Sequence, residues 1–151
     1  MAKRSAGLLL FRKRTQEVEV FLVHPGGPIW ARKDEGAWSI PKGEYSQDED
    51  PLLAAKREFA EETNFTVDGV FTPLGEIRQP GGKAVMAWSL ERDLDASAIK
   101  SNTFKMEWPP RSGATQEFPE VDRGAWFSLT QARRKILKGQ IPFLDRLVER
   151  L

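Results

Sequence analysis

The stretch from Gly43 to Phe65, GEYSQDEDPLLAAKREFAEETNF, decides the fold. Asp50-Pro51 is a helix start, because aspartate caps free N–H groups and proline is tolerated at the first helical position. A helix is therefore predicted from about Pro51 to Thr63. At about 100° per residue, Glu58, Glu61 and Glu62 fall within an arc of roughly 100°. Leu52, Ala55 and Phe59 make the adjoining apolar stripe. The acidic patch thus borders the buried face, and it should sit at the lip of a groove.

Three carboxylates so close repel one another. At ~6 Å and an effective dielectric of about 20, each pair costs on the order of 2–3 kcal/mol before salt screening. A divalent cation removes that cost, and oxygen-only ligands favour Mg²⁺ or Mn²⁺, ions suited to phosphate oxygens and to activating water. Taken alone, E-x-x-E-E also suits a solvated helix face with an Arg57–Glu61 pair worth a few tenths of a kcal/mol. The residues around it decide between the two.

Gly43, Glu49, Arg57-Glu58-Phe59, Glu61-Glu62 and Phe65 reproduce the spacing G-x5-E-x7-R-E-U-x-E-E-x-G-U, where U is apolar. The departure is Asn64 in place of the final glycine. The chain thereby resembles the Nudix hydrolases, which split a nucleoside diphosphate from another group X, and the resemblance implies that chemistry and an α/β/α sandwich with a mixed β-sheet.

Composition narrows the setting. A chain of 151 residues suits one domain, expected here over residues 1–151. A formal net charge of +1 gives no global attraction to nucleic acid or membrane, and oligomeric state is not legible. Without cysteine there is no disulfide, thiol nucleophile or cysteine zinc site, which is compatible with the expected cytoplasmic location. The apolar run Leu8 to Phe11 is too short for a signal-peptide core or a membrane span.

The remaining elements follow from pattern. Ala6 to Arg12 and Val18 to His24 read as two strands of a hairpin, and a loop begins at Pro25-Gly26-Gly27-Pro28. Leu74 to Gln79 and Lys83 to Glu91 flank the turn Pro80-Gly81-Gly82, the second strand being apolar on both faces. Phe104, Met106 and Trp108 alternate as in a strand. A loop is expected from Pro109 to about Arg123, then a short strand Ala125 to Phe127, a helix over Leu129 to Lys138 stopped by Gly139, and a last helix from Pro142. A mixed sheet with the Glu-rich helix on one face and the C-terminal helices on the other is an α/β/α sandwich.

The resemblance also assigns roles. It implies Glu61 and Glu62 as metal ligands, Glu58 as a ligand or the general base, and Glu49 and Arg57 as their support, with Arg57 holding carboxylates in a fork. The Lys42 carbonyl is implied as a further metal ligand, and the Lys42 side chain is a candidate partner for a substrate phosphate. Glu120, six residues before Trp126, corresponds to a loop glutamate that binds metal or accepts a proton, with Glu117 and Asp122 as local rivals. A metal-activated water attacking phosphorus, without covalent intermediate, is the implied reaction.

Trp30 and Trp108 are candidates for stacking a nucleobase or for the core, whereas Trp38, Trp88 and Trp126 sit in strand patterns and read as core. His24, the only histidine, reads as structural. Arg32, Lys33 and Arg111 are candidate clamps for further phosphates or a solvated loop cluster. The segment Trp38 to Gly43 and the Glu120–Trp126 spacing look most like the branch of MutT-like nucleoside triphosphate and dinucleoside polyphosphate hydrolases. An ADP-ribose or other nucleotide-sugar pyrophosphatase is the alternative, with Pro80 its weak pointer; a nucleotide binder without turnover is another. RNA is not indicated, because no separate basic or aromatic RNA-binding region is visible.

Overall fold

A computed structural model describes residues 3–79 and 81–151. The strands are β1 (Arg4–Arg14), β2 (Glu17–Pro25), β3 (Lys42–Glu44), β4 (Thr72–Arg78), β5 (Ala84–Glu91), β6 (Thr103–Glu107), β7 (Thr115–Pro119) and β8 (Val121–Ser128). The helices are α1 (Pro51–Thr63), α2 (Leu129–Lys135) and α3 (Ile141–Glu149). Main-sheet strands run in the order β4-β5-β1-β2-β8, with β3 also pairing β1. Only β1 and β5 are parallel; the other pairs are antiparallel, so the sheet is mixed as expected.

Alternation along the central strands builds the two sides. Leu8 and Leu10 of β1 and Phe21 and Val23 of β2 pack with Ala54, Ala55 and Phe59 of α1. Leu9, Val20 and Leu22 face the other way, onto Ala132, Phe143, Leu144 and Leu147 of α2 and α3. Burying a side chain such as Phe59, which has no exposed surface, is worth roughly 1.5–3 kcal/mol. The helices therefore clamp the sheet from both faces, completing the α/β/α sandwich. No helix among the described residues is long and apolar enough to cross a membrane.

Helix α1 begins and ends where its sequence says. The Asp50 carboxylate accepts from Leu53 N at 3.0 Å. Asn64 adopts the left-handed conformation, φ 65° and ψ 18°, while its N–H donates to Ala60 O. At the β4–β5 turn Gly81 and Gly82 both have positive φ; Pro80 lies outside the described residues.

Three expectations need correction. The segment from Pro109 to Arg123 is not one loop, for it contains β7, which pairs with β6 in a separate two-stranded sheet. The last strand is Val121–Ser128 instead of Ala125 to Phe127, because β8 pairs along β2 from Glu19 to Pro25. Helix α2 stops at Lys135, short of Lys138: Ile136 turns extended, bridges to Trp38 and buries itself, so tertiary pairing overrides helical propensity. Gly139 lies within a following 3₁₀ turn, Lys138–Gln140. Trp38 is buried in the core, whereas Trp88 and Trp126 are only half-buried and flank the α1-side cluster.

Candidate active site

Close backbone packing sets the α1 carboxylates against β3. A Cβ on Gly43 would lie 2.0 Å from Glu58 Oε2, so a glycine there is what lets the Glu58 carboxylate tuck against the strand. A Cβ on Gly7 would likewise meet Pro41 O at 2.6 Å, which explains how β1 approaches the segment leading into β3.

Arg57 organises the acids on the outer side. Its Nε and Nη2 donate to the two oxygens of Glu49 at 2.8 and 3.0 Å, while Nη1 donates to Glu58 at 2.8 Å and Glu61 at 3.2 Å. Chiefly through the Glu49 fork, its own pKa is held above the ordinary arginine value. That fork keeps Glu49 below its ordinary value in turn.

Burial dominates on the inner side. Glu62 is pushed up to about 8, first by desolvation and then by the charge of Glu120. Opposing this, the Lys42 N–H donates to Glu62 Oε1 at 3.3 Å and the Lys42 ammonium attracts it. Lys42 is itself lowered, by desolvation above all. Glu58 and Glu120 are also raised, each by desolvation first and then by the charge of Glu61. The four glutamates thus form one mutually repelling set. Among the described residues no three His, Cys, Asp or Glu side chains stand together as a ready-made metal cage, and Arg57 Nη1 occupies the notch between Glu58 and Glu61. Their all-carboxylate oxygen chemistry suits a hard divalent ion.

Of the three loop acids, Glu120 reaches the site. It stands between β7 and β8, where its N–H donates to Asn102 O and its carbonyl accepts from Gly26 N, both at 2.9 Å. Glu117 pairs with Lys105 in the β6–β7 ladder and is exposed. Asp122 is occupied elsewhere: its carboxylate meets His24 Nδ1 at 2.9 Å, while His24 Nε2 donates to Lys33 O at 2.6 Å. His24 is fully buried, in edge contact with Trp38, and structural as read.

Two clefts share Glu62 and Glu120. One, about 210 Å³, is lined by Lys42, Ser39, Ile40 and Trp30 among others. The second, about 430 Å³, runs past Trp30 to Phe104 and Met106. Arg32 and Arg111 are exposed and line neither, and Trp108 lies with Arg111 at the far end of β6. Lys33 stands 4.9 Å from the Trp30 ring centre. Sequence reasoning missed Ile29, Phe104 and Met106 as site residues. The alternation placing Phe104 and Met106 on one face of β6 was the available signal; their target was not legible. A wider groove, about 560 Å³, opens beside Arg12, Arg14 and Trp126, but Arg12 is already paired with Glu19 and Asp93.

The NUDIX domain family model matches residues 1–147. The chain is 29% identical over 131 residues to an 8-oxo-(d)GTP phosphatase of Mycolicibacterium smegmatis, the match covering 79% of this chain but 38% of that protein. It is similar in fold to a C. elegans Ap4A hydrolase (TM-score 0.66, 23% identity, 98% of this chain and 96% of that one). The NUDIX domain of Shewanella oneidensis NrtR, solved with ADP ribose, is also similar (TM-score 0.67, 17% identity, 99% and 88%).

Proposed function

Because the chain belongs to the NUDIX domain family, we propose that it is a divalent-metal-dependent pyrophosphohydrolase cleaving a phosphoanhydride bond of nucleoside diphosphate-linked compounds. One hydrolase domain accounts for residues 1–151 in this reading. The observation that carries it is the gathering of acids around α1: Arg57 donates to Glu49, Glu58 and Glu61 on the outer side, while Glu62 and Glu120 line the same two clefts on the inner side.

Glu61, Glu62, Glu58 and Glu120, with the Lys42 carbonyl, would hold Mg²⁺ or Mn²⁺. When bound, such an ion supplies charge neutralisation at phosphoryl oxygens and a more acidic water. Arg57 positions Glu58 and Glu61 through its fork. Glu58 or Glu120 would take the proton of the attacking water. The half-buried Lys42 ammonium, which lines the smaller cleft, would pair with a substrate phosphate, where desolvation strengthens a charge-assisted contact. Trp30 offers a ring to the base. Arg32 and Arg111 can serve only a phosphate chain that extends beyond the two clefts.

Dinucleoside polyphosphates or nucleoside triphosphates are the proposed substrates, since a long phosphate chain gains most from these cations. The intact Arg57 fork and glutamate set speak against a silent nucleotide binder or scaffold. The test is a screen of nucleoside triphosphates, diadenosine polyphosphates and ADP-ribose with Mg²⁺ and Mn²⁺, products separated by chromatography. Metal-dependent release of a nucleoside monophosphate or diphosphate is expected. No product from any of them overturns the reading, and ADP-ribose as the best substrate overturns the substrate choice.

A further inference from the structure

The larger cleft is apolar where it leaves the glutamates. Pro25, Gly26, Ile29, Trp30, Phe104 and Met106 line it, and its only charged walls are Glu62 and Glu120. Two separate elements form its sides, the loop after β2 and the β6–β7 hairpin. They are fitted closely: a Cβ on Gly27 would lie 3.0 Å from Phe104 Cζ, and one on Gly26 would meet Pro119 O at 1.9 Å. Phe118 backs Phe104 with ring centres 6.1 Å apart. Ile29 is 56% exposed, an apolar side chain left on an open rim.

Resting on the hydrolase reading above, we propose that this cleft is a nucleobase slot that grips the face of the base and leaves its edge unread. Continuity with Glu62 and Glu120 argues for the occupant, since whatever is tethered to a phosphate at those carboxylates enters this cleft next. A flat aromatic ring suits walls of Trp30, Phe104 and Met106. A second phosphate does not, because the walls beyond Glu62 and Glu120 carry no cation to meet it.

Edge readout needs paired, correctly spaced polar groups, and beyond Glu62 and Glu120 the side chains that line the slot offer one, the Trp30 indole N–H. Glu62 and Glu120 belong to the crowded acidic set. In the adjoining cleft the Ser39 hydroxyl donates to Ile40 O at 2.7 Å and accepts from Gln140 Nε2 at 3.0 Å, so its proton is already committed. The other Gln140 amide atom accepts from Ile40 N at 3.0 Å. Trp30 contributes one indole N–H, and a lone donor cannot make a bidentate contact. The slot therefore tells a base from no base, and hardly one base from another.

Equilibrium binding in excess Mg²⁺ tests this, with ADP, GDP, CDP, UDP and 8-oxo-dGDP as probes and pyrophosphate as the probe without a base. The five nucleotides should bind within about threefold of one another, and each about tenfold more tightly than pyrophosphate, the size expected for one good stack. Phe104→Ala, and independently Met106→Ala, should bring nucleotide affinity toward that of pyrophosphate while pyrophosphate affinity stays within about twofold, which also reports an intact fold. A tenfold or larger preference for one base overturns the proposal, as does equal affinity for ADP and pyrophosphate, or nucleotide affinity that ignores both substitutions. Hydrolysis is scored separately on the same samples: absence of product sinks the hydrolase reading, whereas the binding series alone decides the slot.

Discussion

Helix α1 and the β6–β7 hairpin bring groups to the same cleft by opposite routes. The features that set the ends of α1 and gather its outer carboxylates lie within or beside it: the Asp50 cap, the left-handed Asn64, and Arg57 holding Glu49, Glu58 and Glu61. The hairpin is fixed from afar. Asn102 N donates to Glu61 O, Glu120 N to Asn102 O, and Gly26 N to Glu120 O, so Glu120 owes its position to three separate parts of the chain. Local sequence thus carries the densest part of the acidic set, and long-range pairing adds the fourth carboxylate and the apolar wall.

If the helix carries the chemistry, its inner carboxylate should be the most sensitive point of the molecule. Glu62→Gln removes one charge without changing size, and turnover should fall at least about a hundredfold with the fold retained. Steady-state rates in saturating Mg²⁺ beside circular dichroism decide it. Near wild-type turnover breaks the comparison at its first term.

The same residue predicts how stability responds to pH without metal. Glu62 titrates near 8 in the folded protein, well above an ordinary carboxyl, so the folded state binds the proton more tightly than the unfolded chain. Its contribution is fully present below the ordinary carboxyl range and is lost as pH rises through about 8. Allowing for solvent at the cleft, the loss should be about 2 kcal/mol, with Glu58 and Glu120 adding in the same direction. Urea melts with chelator between pH 5 and 8.5 measure it. Glu62→Gln should flatten the slope, and a wild-type slope unchanged by that substitution contradicts the assignment to Glu62.

What was legible follows the same division. The bounds of α1 and the strand pair β1–β2 rest on caps, period and turn chemistry, all readable within a few residues. Strand β7 was not, because Thr115 to Pro119 has no apolar alternation of its own and is a strand only through its pairing with Thr103 to Glu107. Ile136 is similar: nothing in Arg133-Arg134-Lys135-Ile136 halts a helix, but the bridge to Trp38 does. In the site, the glutamates were readable from their spacing. The wall of Ile29, Phe104 and Met106 was not, since it exists only where two distant segments meet.

A smaller effect tests the hairpin side. Glu120→Gln should lower turnover by about tenfold, whereas Glu117→Gln, an exposed ladder position, should stay within about twofold, a gap of about 1 kcal/mol or more in the barrier. The ranking in kcat matters more than either value. The reverse ranking would place the wrong loop acid beside the helix.

The smallest effect sharpens the helical side, through the one position where the chain departs from the motif. Asn64 ends α1 with φ 65°, a conformation in which an ordinary Cβ crowds the backbone, though asparagine tolerates it and glycine more so. Its side chain is exposed, so a substitution there reports backbone strain with little packing to confuse it. Asn64→Gly should be neutral or mildly stabilising, because relief of strain offsets the extra freedom glycine gives the unfolded chain. Asn64→Val adds a branched Cβ and should cost about 1 kcal/mol or more. Thr63 is the companion control: its hydroxyl donates to Phe59 O at 2.7 Å and accepts from Phe65 N at 3.1 Å, tying the same helix end by a different bond. Denaturant melts of the two Asn64 variants therefore separate the causes. A Val variant melting with the wild type would mean that the Thr63 bonds, and not the left-handed residue, terminate the helix.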